Sequence, residues 1–273
     1  MSKKLRYLYN RACTTAYVFI SAIFMFVPED FFKCGFISCE WSETAIIVVN
    51  RLVLSFLVLF LVNILYFLWR NKRQSVEIVD KNYIIRVEYG DILKIRNGKK
   101  VINFDECYTT TIGNRPEEIK PQSICGQYLQ KYPIDDIQGL TNAAGIQPTG
   151  KSKYKEFASF DSGTIIPRDD FFLMAFAKLD QQGRGTMTYS MYLECLDRLW
   201  HEIDLYHGAD DVYVPILGSR ITRFDNELTQ QELLDVMISS YRLSPFKMKN
   251  PSILHIVCRE RDGFSLNDVI GVE

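Results

Sequence analysis

Residues 212–221 read VYVPILGSRI, an apolar run followed directly by Gly-Ser-Arg. Short runs rich in Val, Ile and Tyr that end in small or polar residues are typical of buried strands. A glycine at the end of such a strand lets backbone N–H groups approach a ligand closely, and a neighbouring Arg can bind phosphate. We therefore predict a strand over Val212–Leu217 that leads into an anion-binding loop at Gly218–Ile221.

Further strands and helices are predicted on both sides of this segment. The strand candidates are Ser75–Val79, Tyr83–Tyr89, Lys99–Phe104, Gly163–Ile166 and Ser252–Cys258. The helix candidates are Pro121–Tyr132, Pro167–Leu179, Thr188–Tyr206 and the segment after Thr229, whose spacing to Glu232 is that of a capping box. Strands that alternate with helices predict an α/β fold, with a mixed or parallel sheet and helices on its faces.

The segment Pro167–Leu179 is predicted as a helix because Pro stands first and two acidic residues, Asp169 and Asp170, follow in the first turn. An apolar run comes behind them. Since this assignment leaves no strand directly in front of Gln181–Gly185, we interpret that glycine-containing stretch as an ordinary connector and not as a phosphate cradle.

The N-terminal part of the chain has the composition of a membrane protein. Ala45–Trp69 is a run of about 25 residues with one charge, which is long enough to cross a hydrocarbon core of about 30 Å. Ala12–Val27 is a shorter apolar run, for which a cleaved signal peptide is the alternative. We predict a two-helix transmembrane region over residues 1–74, with a short external loop at 28–43, and a cytosolic ligand-binding domain over residues 75–273.

Basic residues set the predicted orientation. Residues 1–74 hold nine Lys/Arg against four Asp/Glu, and seven of these nine flank the two spans on the side away from the loop. The positive-inside rule then places both termini in the cytoplasm. Cys34 and Cys39 fall in the outer loop, where they either pair or stay reduced. Arg51 either snorkels to the outer headgroups or faces a helix bundle.

Charge and cysteine spacing exclude some classes of function. Residues 75–273 carry a net charge of -6, which is a poor basis for non-specific nucleic-acid binding. The seven cysteines show no metal-ligand spacing, so we expect no metal site. The three histidines have no catalytic partner at a suitable spacing, which argues against an enzyme, and no cofactor is expected.

Three loops that leave predicted strands are the candidate ligand site, because ligands of α/β sheets bind beyond the carboxyl ends of strands. They are Gly90–Ile92, Asn103–Glu106 and Gly218–Ile221. In this order they resemble the macro domain, which has a Gly-Asp-Ile turn, a strand that ends in Val-Asn, and a late strand that leads into a phosphate loop. The resemblance covers roughly residues 75–260 and implies a three-layer α/β/α domain.

The two spans, the stretch Ser123–Gln127 and the segment VPILGSRI are together similar to the membrane-bound effector family of the Thoeris anti-phage system. The resemblance implies the roles of the site residues. Asp91 and Ile92 would bind adenine, Asn103 would face the distal ribose, and Phe224 would stack on the adenine. Gly126 would belong to the first diphosphate loop, and Gly218, Ser219, Arg220 and Ile221 would form the second.

The sequence also departs from the usual macro-domain pattern. Phe104–Asp105–Glu106 stands where Ala-Ala-Asn is usual, SICGQ replaces a triple-Gly loop, and the second loop lacks its second Gly. These changes imply a pocket reshaped for a modified ligand, in which Asp105 and Glu106 would meet a cationic group.

The resemblance implies a function in defence. A TIR-domain partner would make an ADP-ribose-derived signal, a histidine conjugate of ADP-ribose. The effector would bind the signal, form oligomers and disrupt the inner membrane, which causes abortive infection. Two alternatives stay open: a membrane-tethered hydrolase or processing enzyme acting on ADP-ribose, and a membrane anchor with a ligand-free domain.

Overall fold

The computed structural model describes residues 3–33, 42–71, 73–218, 223–224, 228–259 and 264–269. Residues 3–12, 223–224 and several residues of 66–71 are described by their backbone alone. The chain divides into two compact units, Met1–Arg73 and Gln74–Glu273. Cys34 and Cys39 lie outside the described residues, so their pairing stays open.

The N-terminal unit is a pair of helices, α1 (Lys3–Phe26) and α2 (Glu43–Asn71), that contact each other. A stretch of α2, Glu43–Leu65, is long and apolar enough to cross a membrane. The apolar stretch of α1, Cys13–Phe26, is shorter. Within the described residues, therefore, one of the two predicted spans meets the length and composition of a membrane helix, and the other stays a prediction.

Arg51 has partners inside the N-terminal unit. Its guanidinium lies 3.1 Å from a carboxylate oxygen of Glu29 and above the rings of Phe24 and Phe32, at 5.6 and 5.2 Å from their centroids. The adjacent Asn50 is buried and donates a 2.8 Å hydrogen bond to the carbonyl of Phe32. These contacts tie α2 to the segment that follows α1, and they account for a charged side chain in an otherwise apolar helix.

The C-terminal unit alternates strands and helices. Its helices are α3 (Ile124–Lys131), α4 (Ile137–Ala143), α5 (Tyr189–Tyr206) and α6 (Gln230–Leu243). Its strands are β1 (Ser75–Val79), β2 (Ile84–Tyr89), β3 (Lys99–Asp105), β4 (Gly150–Lys151), β5 (Ala158–Ser159), β6 (Ile165–Arg168), β7 (Phe171–Leu179), β8 (Gly185–Met187), β9 (Val212–Pro215), β10 (Arg223–Phe224) and β11 (Leu254–Cys258).

Nine of the described strands form one sheet in the order β1-β2-β11-β9-β3-β7-β8-β10, and β6 pairs with β7. The central strands β2, β11, β9, β3 and β7 run parallel to one another. β1 is antiparallel to β2, and β6 and β8 are antiparallel to β7, so the sheet is mixed. Because the five central strands share a direction, their carboxyl ends meet at one edge of the sheet.

Helices cover both faces of the sheet. Along β3, Val101 packs into the core that contains the buried residues of α5 and α6, whereas Ile102 and Phe104 pack into a second core with α3. This alternation follows from the two-residue repeat of a strand. Partly buried Ile137 and Leu140 of α4 join the second core. The predicted α/β class, with a mixed sheet between helical layers, is confirmed.

The prediction of a helix over Pro167–Leu179 is wrong. This segment is a β-hairpin in which β6 and β7 turn at Asp169 and Asp170, and Asp169 has a φ of 50° in the left-handed region. β7 is buried on both faces, so its sequence FFLMAFAKL shows no alternation. A continuous apolar run of this kind does not distinguish a fully buried strand from a buried helix.

Two other helices were predicted correctly, α5 from its amphipathic sequence and α6 from its capping box. Thr188 caps α5 by accepting a hydrogen bond from the backbone N–H of Met191, and α5 begins at the next residue. Thr229 and Glu232 form the predicted capping box at the start of α6. The capping box depends on two residues three positions apart, which sequence reasoning can identify without knowing the tertiary structure.

Candidate functional site

A cavity of about 190 Å³ lies at the carboxyl ends of the central strands. Asn103 and Asp105 of β3, Ala177 and Leu179 of β7, and Pro215 of β9 contribute to its wall. Val257 of β11 and the loop Pro116–Lys120 also line it. The position matches the predicted one, because open α/β sheets bind ligands beyond the carboxyl ends of their strands.

The first turns of two helices face this cavity. Ser123 caps α3 by accepting a 2.9 Å hydrogen bond from the backbone N–H of Gly126, and Ser123, Ile124 and Cys125 line the cavity. Gln230, the first residue of α6, lines it as well. The N-terminus of a helix carries unpaired N–H groups and a partial positive charge, so this wall favours an anionic ligand.

Gly126 is buried next to the cavity but is not part of its wall. A Cβ atom at this position would lie 2.2 Å from the carbonyl oxygen of Lys120. The absence of a side chain therefore lets α3 pack directly against the backbone of the loop in front of it. The structure gives this predicted phosphate-loop glycine a packing role that shapes the first turn of α3.

Asn103 and Gly218 lie where the sequence predicted a site. Both line the cavity, and Gly218 has a φ of 79°, which favours glycine. The half-buried side chain of Asn103 makes no hydrogen bond to the described part of the chain, so it is available to a ligand. Two residues from adjacent strands thus meet in one cavity.

The rest of the predicted second loop lies beyond what the structure describes. Ser219, Arg220 and Ile221 fall outside the described residues. Phe224 is described by its backbone only, as part of β10, which pairs with β8. The roles assigned to these four residues stay predictions.

Asp91 and Ile92 lie at the same edge of the sheet but are not among the residues that line the cavity. The carboxylate of Asp91 accepts a 3.2 Å hydrogen bond from the backbone N–H of Leu93 and caps a short 3-10 turn. Ile92 is buried. Gly90 donates a hydrogen bond to the carbonyl of Cys258, which places Asp91 close to the end of β11.

Asp105 serves the turn that follows β3. Its Oδ1 atom accepts hydrogen bonds from the backbone N–H groups of Cys107 and Thr109, at 2.8 and 3.2 Å. Burial raises the pKa of the carboxyl above its ordinary value, although these hydrogen bonds oppose the shift. Asp105 lines the cavity, but one of its oxygens is already committed to the backbone.

Glu106 already has a cationic partner in the chain. Its carboxylate lies 3.0 Å from Nζ of Lys178 and accepts hydrogen bonds from the hydroxyl of Ser152 and the backbone N–H of Leu179, at 2.7 and 2.9 Å. The side chain is only 5% exposed. The structure therefore assigns Glu106 to anchoring β7 and the loop at Ser152, and not to a ligand's cation.

Sequence reasoning missed several residues of the cavity wall. Glu117, Lys120 and Arg259 line it, and so do Gly183 and Gly185. Arg259 directly follows a correctly predicted strand, so the rule that located the other loops also applied to it. Gly183 and Gly185 were dismissed because Pro167–Leu179 was assigned as a helix, whereas β7 in fact runs into them. Glu117 lies on an irregular loop, where no regular pattern of apolar and polar residues indicates a site.

The wall contains little that resembles catalytic machinery. Cys125 is buried, and desolvation raises the pKa of its thiol well above the ordinary value, which disfavours the nucleophilic thiolate. None of the three histidines lines the cavity, and the described residues contain no cluster of potential metal ligands. The arrangement is suited to holding an anionic ligand by backbone N–H groups, amides and a few cations.

Comparison with known proteins identifies the same region. A family model described as "Thoeris protein ThsA, Macro domain" matches residues 85–259. The curated Thoeris protein ThsA of Bacillus amyloliquefaciens (strain Y2) is 28% identical over 194 residues. That match covers 67% of this chain and 65% of the relative, so the chain spans just under two thirds of that protein.

The solved macrodomain structures are less similar to this chain in sequence than the curated relative is. An Oceanobacillus iheyensis macrodomain mutant with ADPR aligns with a TM-score of 0.46 at 12% identity, over 71% of this chain and 92% of its own. The macrodomain of Thermus aquaticus DarG aligns with a TM-score of 0.38 at 12% identity, over 64% and 97%. The assignment of the fold rests on the sheet topology and on the family match.

Proposed function

Since the chain belongs to the family of the Thoeris protein ThsA macro domain, we propose that it senses an ADP-ribose-derived signal in anti-phage defence. Membership of this family confirms the resemblance that the loop motifs indicated. The proposed signal is a nucleotide made by a TIR-domain partner, in the form of a histidine conjugate of ADP-ribose.

The position and lining of the cavity are the observation that carries this proposal. The cavity lies within the matched span, at the carboxyl ends of β3, β7, β9 and β11, and two helix N-termini open onto it. A diphosphate needs such N–H groups, because residues 75–273 carry a net negative charge. Local donors then bind the anion that the overall charge would repel.

The ligand-binding roles are proposed as follows. Asn103 and Gly218 contact the ligand from the floor of the cavity, and the first turn of α3 receives the diphosphate. Ser219, Arg220 and Ile221 complete the diphosphate loop, Phe224 stacks on the adenine, and Asp91 and Ile92 hold the adenine end beside β11.

We propose that the domain binds without turnover. Within the described wall, Cys125 is desolvated, and Asp105, the carboxylate next to Asn103 on β3, is engaged with the backbone. Glu117 also lines the cavity, but it lies on the loop Pro116–Lys120 and not on β3 beside Asn103. A hydrolase needs a group that activates water close to the bound ribose, and the histidines that often serve this purpose lie elsewhere. Detection of free product after incubation of the chain with an ADP-ribose ester or conjugate would contradict this part of the proposal.

At the membrane, residues 1–74 are proposed to be a two-helix anchor and residues 75–273 a cytosolic sensor. The apolar stretch Glu43–Leu65 supports an anchor of this kind. Binding of the signal would favour an oligomer whose clustered helices disrupt the inner membrane. A ligand achieves this only if it binds the assembled state more tightly than the single chain.

Titration calorimetry of the full chain in detergent micelles tests the binding step. We expect saturable binding of ADP-ribose or its histidine conjugate, and an affinity at least about tenfold lower for Asn103→Ala, because a ligand hydrogen bond to a buried amide is lost. Asn82→Ala is the matched control, since Asn82 is exposed in the turn between β1 and β2 at the opposite edge of the sheet. The proposal is wrong if neither compound binds, or if both variants bind like the wild type.

Release of dye from liposomes that contain the full chain tests the membrane step. Release should require the same compound that binds in the titration, and Asn103→Ala should need a correspondingly higher concentration. Release that is equal with and without the compound would rule out gating by the ligand.

A further inference from the structure

The cavity carries opposite charges at its two ends. Arg259 follows β11 at one end, and Glu117 lies beside the β7–β8 turn at the other. From β11 the sheet order crosses β9 and β3 to β7, which is three strand spacings, and the β7–β8 turn lies up to one spacing further, so the span is about 14–19 Å. An elongated ligand that crosses the strand ends would therefore meet a cation near one terminus and a carboxylate near the other.

The position of Glu117 is fixed by backbone packing. A Cβ atom added to Gly183 would lie 2.5 Å from Cβ of Glu117, so the turn and the loop are in direct contact at this point. Gly183 has a φ of 76°, and its own turn is held by Asp180, which accepts a hydrogen bond from the backbone N–H of Arg184. The carboxylate is thus presented to the cavity from a defined place.

Glu117 also differs from the other acidic residues of the wall because it accepts no hydrogen bond from the residues that the structure describes. Glu118 accepts a 2.8 Å hydrogen bond from the backbone N–H of Arg115, and Asp105 accepts two from its own turn. Glu117 has neither a hydrogen bond nor an ion pair within 4.0 Å among the residues that the structure describes. The exposed Lys155 is near enough to interact with Glu117 electrostatically, but it makes no direct ion pair with it. A half-buried carboxylate without a direct hydrogen bond is stabilised by a ligand that brings a cation or strong donors to it.

We propose that Glu117 is a specificity-determining residue that binds an ammonium group attached to the nucleotide beyond its diphosphate. This inference rests on the proposed function and extends it, because it states which feature separates the signal from plain ADP-ribose. The nucleotide supplies the anion that the helix N-termini receive, and Glu117 selects the substituent at the far end.

The test compares two forms of one conjugate on matched variants of the full chain in detergent micelles. The probes are the histidine conjugate of ADP-ribose with its free ammonium group and the same conjugate after N-acetylation, which removes that positive charge. Titration calorimetry of both probes on wild type and on Glu117→Gln isolates the interaction of the carboxylate with the cation. Glu118→Gln is the control, since it makes the same change at the adjacent, internally bonded carboxylate.

In the wild type and in Glu118→Gln, acetylation should weaken binding about tenfold or more, as expected for a charge-assisted hydrogen bond in a partly buried site. In Glu117→Gln, the two probes should bind within about threefold of each other. An acetylation effect of equal size in the wild type and in Glu117→Gln, or no effect in the wild type, would overturn this inference and leave the proposed function intact. Failure of the wild type to bind any probe would overturn both.

Discussion

Replacement of Gly126 by Ala distinguishes the structural account of α3 from an argument based on helix propensity alone. Ala is favoured over Gly inside a helix by about 1 kcal/mol, so propensity predicts a more stable protein. In the structure, the added methyl group would lie 2.2 Å from the carbonyl oxygen of Lys120 and 3.0 Å from Cα of Pro121. Backbone atoms cannot rotate away as a side chain can, so the helix or the loop must move by about 1 Å.

Overpacking costs about 1–3 kcal/mol, and a 2.2 Å approach to a backbone atom places this position in the upper part of that range, at about 2–3 kcal/mol. This cost outweighs the gain in propensity of about 1 kcal/mol. The expected net loss is about 1–2 kcal/mol of unfolding free energy. For a unit of this size, that loss corresponds to a thermal midpoint lower by roughly 2–8 °C. Because the first turn of α3 lines the cavity, the displacement should also weaken binding of the ADP-ribose compound.

Scanning fluorimetry of the full chain in detergent, at one fixed scan rate, measures the midpoint. Gln130→Ala is the control, since Gln130 is exposed on the same helix and its replacement should change stability by less than about 0.5 kcal/mol. A Gly126→Ala midpoint equal to or above that of the wild type would refute the packing argument.

Two further predictions concern the buried acids. Glu106→Ala should lower the free energy of unfolding by about 3 kcal/mol, because Lys178 and the N–H of Leu179 lose the Glu106 carboxylate. Glu106→Gln should cost less. Equal thermal midpoints for the two variants would contradict this prediction. Burial raises the folded-state pKa of Asp105, so its ionisation costs stability as pH rises from 3.8 through that pKa. Asp105→Asn keeps an acceptor for Cys107, and its stability relative to the wild type should therefore be higher at pH 8 than at pH 4; a difference that does not change with pH would contradict the assignment.

Much of the fold could be predicted from sequence patterns that span a few residues. β1 has the predicted bounds, the amphipathic pattern located α5, and the capping box at Thr229 located α6. These signals operate over a few residues, where the chain's own geometry determines the outcome. The hairpin at Asp169 is different, because burial of β7 on both faces comes from layers that are distant in sequence.

The candidate site was predictable to a smaller degree. Asn103 lies near the carboxyl end of β3 and Gly218 follows β9, so a general rule for α/β sheets pointed to both. Glu106 was misinterpreted because its partner Lys178 lies in a segment that was assigned to the wrong kind of element. Glu117 could not be recognised, since its importance depends on a loop meeting Gly183, a tertiary contact without a sequence pattern.

The most direct test of the account is an experimental structure of the full chain with the histidine conjugate of ADP-ribose. The account predicts that the diphosphate lies against the first turn of α3, between Asn103 and Gly218, with the histidyl group toward Glu117. Bound nucleotide at any other place on the domain, or side chains from residues 219–222 filling the cavity in the presence of the compound, would contradict it.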